Sequence, residues 1–105
     1  MSVNKVILLG YVGRDPEIRY IEQRPMASIS LATDEPQAKG AANVRRTDWH
    51  SLVMWDANAE KAERYIRKGT RLYIEGKLRY RQWTDRTGIT RTIAEIYVDT
   101  FEILG

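Results

Sequence analysis

The 105-residue sequence contains no cysteine, which excludes a disulfide bond and a thiolate metal site. It contains a single histidine, His50, and no group of carboxylates accompanies it in a zinc-ligand pattern. Its longest apolar runs, such as residues 6–9, are too short to cross a bilayer, and the N-terminus lacks the layout of a signal peptide. These absences predict a cytoplasmic protein that needs neither a metal nor any other cofactor.

Groups that could catalyse a reaction are also scarce. Neither a Cys–His nor a Ser–His–Asp set can be assembled around one histidine. Gly10 and Gly13 lack the lysine and the spacing of a phosphate-binding loop. Carboxylates such as those of Asp15 and Asp56 stand at turns or helix starts, where capping accounts for them. We therefore predict that the chain is not an enzyme.

Length and charge are those of an ordinary globular protein with a modest basic excess. Domains commonly run to roughly 100–150 residues, so we expect residues 1–105 to form a single domain. The formal net charge is +3, from 17 basic and 14 acidic residues. Most of the basic residues are arginine, whose guanidinium forks onto phosphate and stacks on flat rings. The charge alone is only a weak indication of a nucleic-acid partner.

The first half of the chain predicts three strands. Residues 3–12 form an apolar strand bent at its glycines, with residues 17–21 as a short continuation. Residues 26–33 alternate between apolar and polar side chains, and residues 47–55 are apolar enough to be covered on both faces. Residues 34–46 have no periodicity, which predicts a long, mobile hairpin loop.

The hydrophobic period then changes to that of a helix over residues 56–68. Asp56 is the expected N-cap. The expected apolar face consists of Ala59, Ala62, Tyr65 and Ile66. The expected helix end consists of Arg67, Lys68 and Gly69.

Two further strands follow the helix, over residues 71–83 and 89–98, joined by a turn at residues 85–88. Residues 100–105 are expected to be a tail tied to the same unit. Three strands, one helix and two strands match the five-stranded Greek-key barrel of the OB-fold, whose helix lies between the third and fourth strands. We therefore predict an all-β chain with this architecture.

The fourth predicted strand carries aromatic rings among positive charges on one face. The residues of that face are Arg71, Tyr73, Glu75, Lys77, Arg79, Arg81 and Trp83. The residues of the opposite, inward face are Leu72, Ile74, Gly76, Leu78 and Tyr80. Single-stranded nucleic acid offers complementary surfaces, namely bare base faces and a line of phosphates. The alternative is a solvated charged face whose aromatic rings pack against a loop.

Two more tryptophans, Trp49 and Trp55, lie six residues apart on the third strand and so share a face. They could both be core residues, because large aromatic side chains are often buried. Three tryptophans in so short a chain, with Trp83 beside charged neighbours, favour a binding role instead. His50 points the opposite way from Trp49 and is expected to have a structural or interface role.

Several segments of the sequence, in order, resemble the tetrameric bacterial single-stranded DNA-binding proteins. The segments that carry the resemblance are residues 3–8, Gly10, Gly13, and residues 15–20, 31–33, 48–50, 65–69, 72–78 and 83–85. The resemblance implies an OB-fold homotetramer that wraps single-stranded DNA, without sequence preference, during replication, recombination and repair. Such a protein is associated with the nucleoid.

The resemblance also implies roles for individual residues. Trp49, Trp83 and Trp55 are expected to stack bases, and His50 to lie at a subunit interface. Tyr73 lies near the expected subunit contacts and could serve assembly or DNA. The expected basic positions of the DNA track are Lys5, Arg67, Lys68, Arg79 and Arg81.

The sequence departs from the family pattern in two places. Residues 34–37 contain none of the aromatic side chains that commonly stack a base in the second hairpin, so one stacking platform is absent. Family members usually continue into a disordered linker with an acidic tip that recruits other proteins, whereas this sequence stops at Gly105. Replication and repair proteins are therefore expected as partners only if such a tail follows Gly105.

Two other functions fit an OB-type chain. The first is a protein-interaction module that has kept the fold, although such a module would be free to lose the tryptophans. The second is an RNA- or tRNA-binding domain, which competition between oligo(dT) and oligo(U) would distinguish.

Overall fold

The computed structural model describes residues 1–36 and 45–105, which form six strands and one helix. The strands are β1 (Val6–Val12), β2 (Glu17–Ile21), β3 (Arg24–Pro36), β4 (Arg45–Trp55), β5 (Arg71–Thr84) and β6 (Thr90–Ile103), and helix α1 (Ala57–Tyr65) lies between β4 and β5. This helix is too short and too polar to cross a membrane, and it is the only helix in the part of the chain that the structure describes.

The strands form one sheet that closes on itself. Their order is β1-β5-β6-β4-β3-β2, and β1 also pairs with β3. The β1–β3 contact consists of the pairs Tyr11↔Ala32 and Val12↔Leu31. The β4–β6 contact is parallel and consists of the pairs Leu52↔Ile96 and Val53↔Tyr97. A ring of five strands results, as the sequence predicts.

The predicted first strand and its continuation are two separate strands, β1 and β2, because the chain bends at residues 13–16. Both run along β3. β1 pairs with Ala32 and Leu31, and β2 pairs with the residues from Ser28 back to Arg24. They therefore act together as one bent strand of the barrel, which keeps the OB-type architecture and the position of the helix.

Alternate side chains of β3 and β4 point into the barrel and form its core. Ile29 and Leu31 on β3 lie on the same side as Leu52 and Met54 on β4, and all four are buried. Burying a side chain of this size stabilises a fold by about 1.5–3 kcal/mol. The helix covers one end of the barrel through Ala59, Ala62 and Ile66, which belong to the same cluster.

The helix is shorter than the sequence predicts, although Asp56 occupies the expected N-cap position. It begins at Ala57, and the Asp56 side chain makes no capping hydrogen bond; its carboxylate pairs with Arg24 instead. It ends at Tyr65, whose side chain is 60% exposed and does not belong to the apolar face. The guanidinium of Arg67 donates to the carbonyl oxygens of Glu63 and Ile66, at 2.8 and 2.7 Å. It thereby provides hydrogen-bond donors for carbonyl groups at the end of the helix.

The predicted loop over residues 34–46 is in part strand. β3 continues to Pro36 and β4 begins at Arg45, and the Thr47 hydroxyl donates to the Asp34 carboxylate across the pair, at 2.7 Å. These residues show no apolar period because both faces of this part of the hairpin are exposed. Residues 37–44 lie outside the described residues. They include Gln37, the last residue of the stretch 34–37 that lacks an aromatic side chain.

The hairpin of β5 and β6 is also longer than predicted, since β6 runs on to Ile103. From Arg79 to Thr84 the side chains of β5 are exposed on both faces, because this part of the hairpin extends past the core. Tyr80, predicted to point inward, is 68% exposed for this reason. The turn is closed by Asp85, whose carboxylate accepts hydrogen bonds from the backbone of Thr87 and Ile89.

Candidate functional site

The outer surface of β4 carries two of the three tryptophans. β4 pairs with β3 without a bulge, so Trp49, Val53 and Trp55 share a face while Leu52 and Met54 point into the core. The Trp49 side chain is 61% exposed, and Trp55 is half-buried. Both indoles are therefore outside the barrel core and accessible to a ligand.

Trp55 lines a groove of about 420 Å³ that crosses several strands. Ile21 of β2, Met26 of β3 and Val53 of β4 contribute apolar surface, and Tyr97 of β6 contributes an aromatic ring. The polar residues of the groove are Arg14, Glu17, Arg19, Ser28, Arg81 and Glu95. The groove thus combines flat apolar surface with guanidinium groups.

Trp49 lines a second concavity, of about 330 Å³, together with Gly13, Arg14 and Ser30. A Cβ atom built on Gly13 would lie 2.7 Å from the indole Cη2 and closer still to Cζ3. The indole therefore rests on the bare backbone of Gly13, and any side chain there would displace it. Arg14 lines both concavities, so the Trp49 and Trp55 concavities adjoin at this residue.

An arginine covers the ring of Trp55. The Arg24 guanidinium carbon lies 4.6 Å from the ring centroid, within the range of a cation–π contact. The same guanidinium donates to both carboxylate oxygens of Asp56, at 3.1 and 2.8 Å. Hydrogen bonding to Arg24 lowers the pKa of Asp56, and hydrogen bonding to Asp56 raises the pKa of Arg24.

The projecting hairpin of β5 and β6 borders the groove with basic and aromatic residues. Trp83 is 41% exposed and lies near its tip. The Arg79 guanidinium carbon lies 5.8 Å from the centroid of the Tyr97 ring. Arg81 makes a two-pronged contact with Glu95, and the Lys77 ammonium lies 3.9 Å from Asp99. These side chains extend the basic and aromatic surface away from Trp55.

Lys5 and Tyr73, which are also predicted to bind DNA, contact the same carboxylate and line neither concavity. The Lys5 ammonium is 2.8 Å from the Glu75 carboxylate, and the Tyr73 hydroxyl also donates to Glu75. The hydrogen bond from Lys5 is the main reason that the pKa of Glu75 is lowered. Through strand pairing, Tyr73 shares a face with the exposed Leu9, and neither Lys5 nor Tyr73 lines the surface that contains the tryptophans.

The other predicted residues have identifiable positions. Lys68 donates its backbone N–H to the Asp15 carboxylate at 2.8 Å, which brings it next to the Arg14 end of the Trp49 concavity. Arg67 precedes it and caps the helix carbonyls. The half-buried His50 ring lies 2.8 Å from the Thr33 hydroxyl, on the opposite side of β4 from Trp49.

Sequence reasoning misses Arg14, Arg24, Met26 and Tyr97, all of which line or cover this surface. Tyr97 and Met26 leave a readable signal, because each alternates with buried apolar neighbours and alternation places both outside the barrel. The others depend on which strands become neighbours when the sheet closes.

The electrostatic character of the groove is mixed. Arg19 lies 2.6 Å from Glu17, and Arg81 is paired with Glu95, so two of its arginines already have a carboxylate partner. Among residues 1–36 and 45–105, no cluster of acidic and histidine side chains could hold a metal ion. The surface can therefore bind flat rings by stacking and anions by exchange with its own carboxylates.

Comparisons with known proteins agree with this geometry. The model of the single-strand binding protein family matches residues 3–104. A single-stranded DNA-binding protein of Bacteroides thetaiotaomicron is 44% identical over 109 residues, which cover 100% of this chain and 68% of the relative. A solved structure described as Plasmodium falciparum SSB complex with ssDNA is 32% identical, with a TM-score of 0.87, over 100% of this chain and 97% of the other.

Proposed function

Because the chain belongs to the single-strand binding protein family, we propose that it binds single-stranded DNA on the surface formed by Trp49, Trp55 and the two concavities that share Arg14. The observation that carries this proposal is the position of the two indoles outside the core, joined by Arg14. Family membership also agrees with the prediction that the chain is not an enzyme.

Binding combines stacking with phosphate contacts. Bases lie flat on the indoles, each stacked base contributing about 1–3 kcal/mol. Every base has a flat face, so this term has little sequence preference, as replication, recombination and repair require. Guanidinium and ammonium groups neutralise phosphates and release counterions, which makes the affinity salt-dependent.

We assign the residues of the surface as follows. Trp49, Trp55 and Trp83 are the stacking platforms. Lys77, Arg79 and Arg81 contact phosphates along the projecting hairpin, and Arg67 and Lys68 do so near Trp49. Lys5 and Tyr73 share Glu75 as a partner outside both concavities. We propose Tyr73 for assembly and keep Lys5, which is paired with a carboxylate as Arg81 is, as a further phosphate contact.

We also propose that the protein is a homotetramer. The outer face of β1 exposes Ile7, Leu9 and Tyr11, which are apolar or aromatic and form a row on one strand. An apolar row of this kind is typical of a protein contact surface. Leu9→Lys is expected to lower the mass measured by sedimentation equilibrium, whereas Tyr65→Lys on the helix leaves it unchanged. If Leu9→Lys has no effect on the mass, this row is not the interface.

The cellular location and the partners follow from the same proposal. We infer a cytoplasmic, nucleoid-associated protein that acts through residues 1–105 as a single DNA-binding domain. If further residues follow Gly105, they are the expected site for recruiting replication and repair proteins.

The decisive experiment is a titration of tryptophan fluorescence with poly(dT). Stacking of bases on the indoles is expected to quench most of the emission, with an affinity that falls as salt is raised. Oligo(U) should compete more weakly than oligo(dT), and a reversed order would favour the RNA-binding alternative. Unchanged fluorescence together with unchanged oligo(dT) anisotropy would leave only the protein-interaction alternative.

A further inference from the structure

The contact between Arg24, Trp55 and Asp56 points to a device that orients one stacking platform. We propose that Arg24 is a positioning residue for base stacking on Trp55, and that Asp56 holds Arg24 in place. This inference rests on the proposed function. Its basis is the position of the Arg24 guanidinium, whose carbon lies 4.6 Å from the ring centroid and whose Nε and Nη2 lie 3.1 and 2.8 Å from the two Asp56 oxygens.

The geometry leaves one face of the indole for DNA. The Arg24 guanidinium covers one face of the Trp55 ring, and Arg24 itself does not line the groove beside Trp55, so we assign the other face of the ring to the base. A ring held on one side loses less rotational freedom when a base stacks on the other. The bound arrangement is then a layered stack of guanidinium, indole and base.

The backbone of Asp56 supports a dedicated role for its carboxylate. Asp56 has φ 55° and ψ −122°, a conformation that glycine adopts readily and that is unfavourable for other residues. Its N–H donates to the carbonyl of Pro25 at 3.0 Å, which joins the end of β4 to the start of β3 next to Arg24. Glycine would adopt this backbone conformation without strain, but only a side chain such as that of Asp can hold Arg24.

The rival role for Arg24 is direct contact with a DNA phosphate, and the two roles predict opposite effects of Asp56→Asn. That change removes a negative charge and frees the guanidinium. If Arg24 is a phosphate ligand, binding of oligo(dT) becomes tighter. If Arg24 positions Trp55, binding becomes weaker although the protein is more positive.

The first measurement uses full-length protein and fluorescein-labelled dT oligomers in anisotropy titrations. We expect Asp56→Asn, Arg24→Gln and Arg24→Lys each to weaken binding by roughly two- to fivefold, the range of one cation–π contact. Lysine keeps the positive charge but lacks the planar guanidinium. If Arg24→Lys does not restore wild-type affinity, Arg24 therefore acts by stacking on Trp55 rather than by its charge. The slope of log affinity against log salt concentration should not change, whereas loss of a phosphate contact would reduce its magnitude by about 0.7. Arg64→Gln, an exposed arginine on the helix, is the charge-matched control.

The second measurement reads the indole directly, without DNA. In a protein whose other tryptophans are replaced by phenylalanine (Trp49→Phe and Trp83→Phe), acrylamide should quench Trp55 more efficiently after Arg24→Gln than after Arg64→Gln. Asp56→Gly should show the same gain in quenching and the same loss of affinity without a fall in Tm, because glycine accepts the backbone conformation. A purely structural role would lower Tm together with affinity.

The outcomes separate the two proposals. If the wild-type protein does not bind oligo(dT), the proposed function fails and this inference with it. If the wild type binds but Asp56→Asn binds more tightly, or Arg24→Lys binds as well as wild type, the proposed function survives and the positioning role is wrong.

Discussion

The Arg81 guanidinium donates to both oxygens of the Glu95 carboxylate, across the neighbouring strands β5 and β6, with distances of 3.1 and 3.3 Å. Both residues line the groove beside Trp55. A phosphate that binds the Nε–Nη2 edge of Arg81 must therefore replace Glu95. The carboxylate holds the arginine in position while no DNA is present, and it weakens the attraction of the groove for anions.

Removing this competitor should strengthen binding. Glu95→Gln is expected to tighten oligo(dT) binding at low salt by roughly two- to fivefold, the range of one exposed ion pair. The slope of log affinity against log salt should become steeper by about 0.7, the increment for one phosphate on a single strand. Glu63→Gln, on the exposed surface of the helix, makes the same charge change away from the groove and should alter neither quantity. Equal effects of the two variants would mean that net charge, not Arg81, is responsible.

Truncation of Trp49 tests the stacking term. Trp49→Ala should weaken oligo(dT) binding by about 1–3 kcal/mol per stacked base. The stability of the fold should change little, because the indole is 61% exposed and lies outside the core. Tyr65→Ala removes an aromatic ring of 60% exposure from the helix and should leave the affinity unchanged. Isothermal titration calorimetry measures both variants, and an unaffected Trp49→Ala protein would contradict the assignment.

Gly13 gives an independent test of the Trp49 site. Gly13→Val places a side chain where the indole ring lies, so we expect the ring to move and the affinity to fall to nearly that of Trp49→Ala. In a double-mutant cycle the Gly13 substitution should then have almost no effect in the Trp49→Ala background, since the two residues are in direct contact. Additive losses would indicate that Gly13→Val acts through the backbone rather than through the indole.

Acid stability tests the cluster of Lys5, Tyr73 and Glu75. Hydrogen bonds from Lys5 and Tyr73 lower the pKa of Glu75 in the folded protein, relative to about 4.3 in the unfolded chain. Its contribution to stability is complete above that value and is lost as the pH falls through the folded pKa. The Tm difference between wild type and Glu75→Gln, followed from pH 7 to pH 3, should shrink below about pH 4.3. A difference that is constant over this range would contradict the assignment.

The sequence predicts well those features that depend on neighbours along the chain. The two-residue period of residues 26–33 correctly places Ile29 and Leu31 in the core, and the spacing of Trp49 and Trp55 correctly places them on one face. The helix is found from its change of period, because Ala59 and Ala62 recur at helical spacing.

Features that depend on closure of the sheet escape this reasoning. Asp56 has the position and chemistry of an N-cap, yet Arg24, 32 residues away, takes its carboxylate. The ends of β3 and β4 have no apolar period because no core lies beneath them, so their strand character comes from cross-strand pairing alone. Tyr80 alternates in step with Leu72 and Ile74, but the barrel ends before it is reached.

The closed sheet is joined at two narrow seams of two residue pairs each, one between β1 and β3 and one between β4 and β6. Trp49 packs at the first seam through Gly13, and Tyr97 and Val53 meet at the second. A DNA strand that contacts both Trp49 and Arg81 would cross both seams. It would therefore link β3 and β4 to the neighbouring strands β1 and β6. Amide hydrogen exchange should therefore slow when oligo(dT) is bound, at Gly13, whose N–H donates to the Ser30 carbonyl across the first seam, and at Tyr97 on the second, so that the ligand itself suppresses the opening of the barrel.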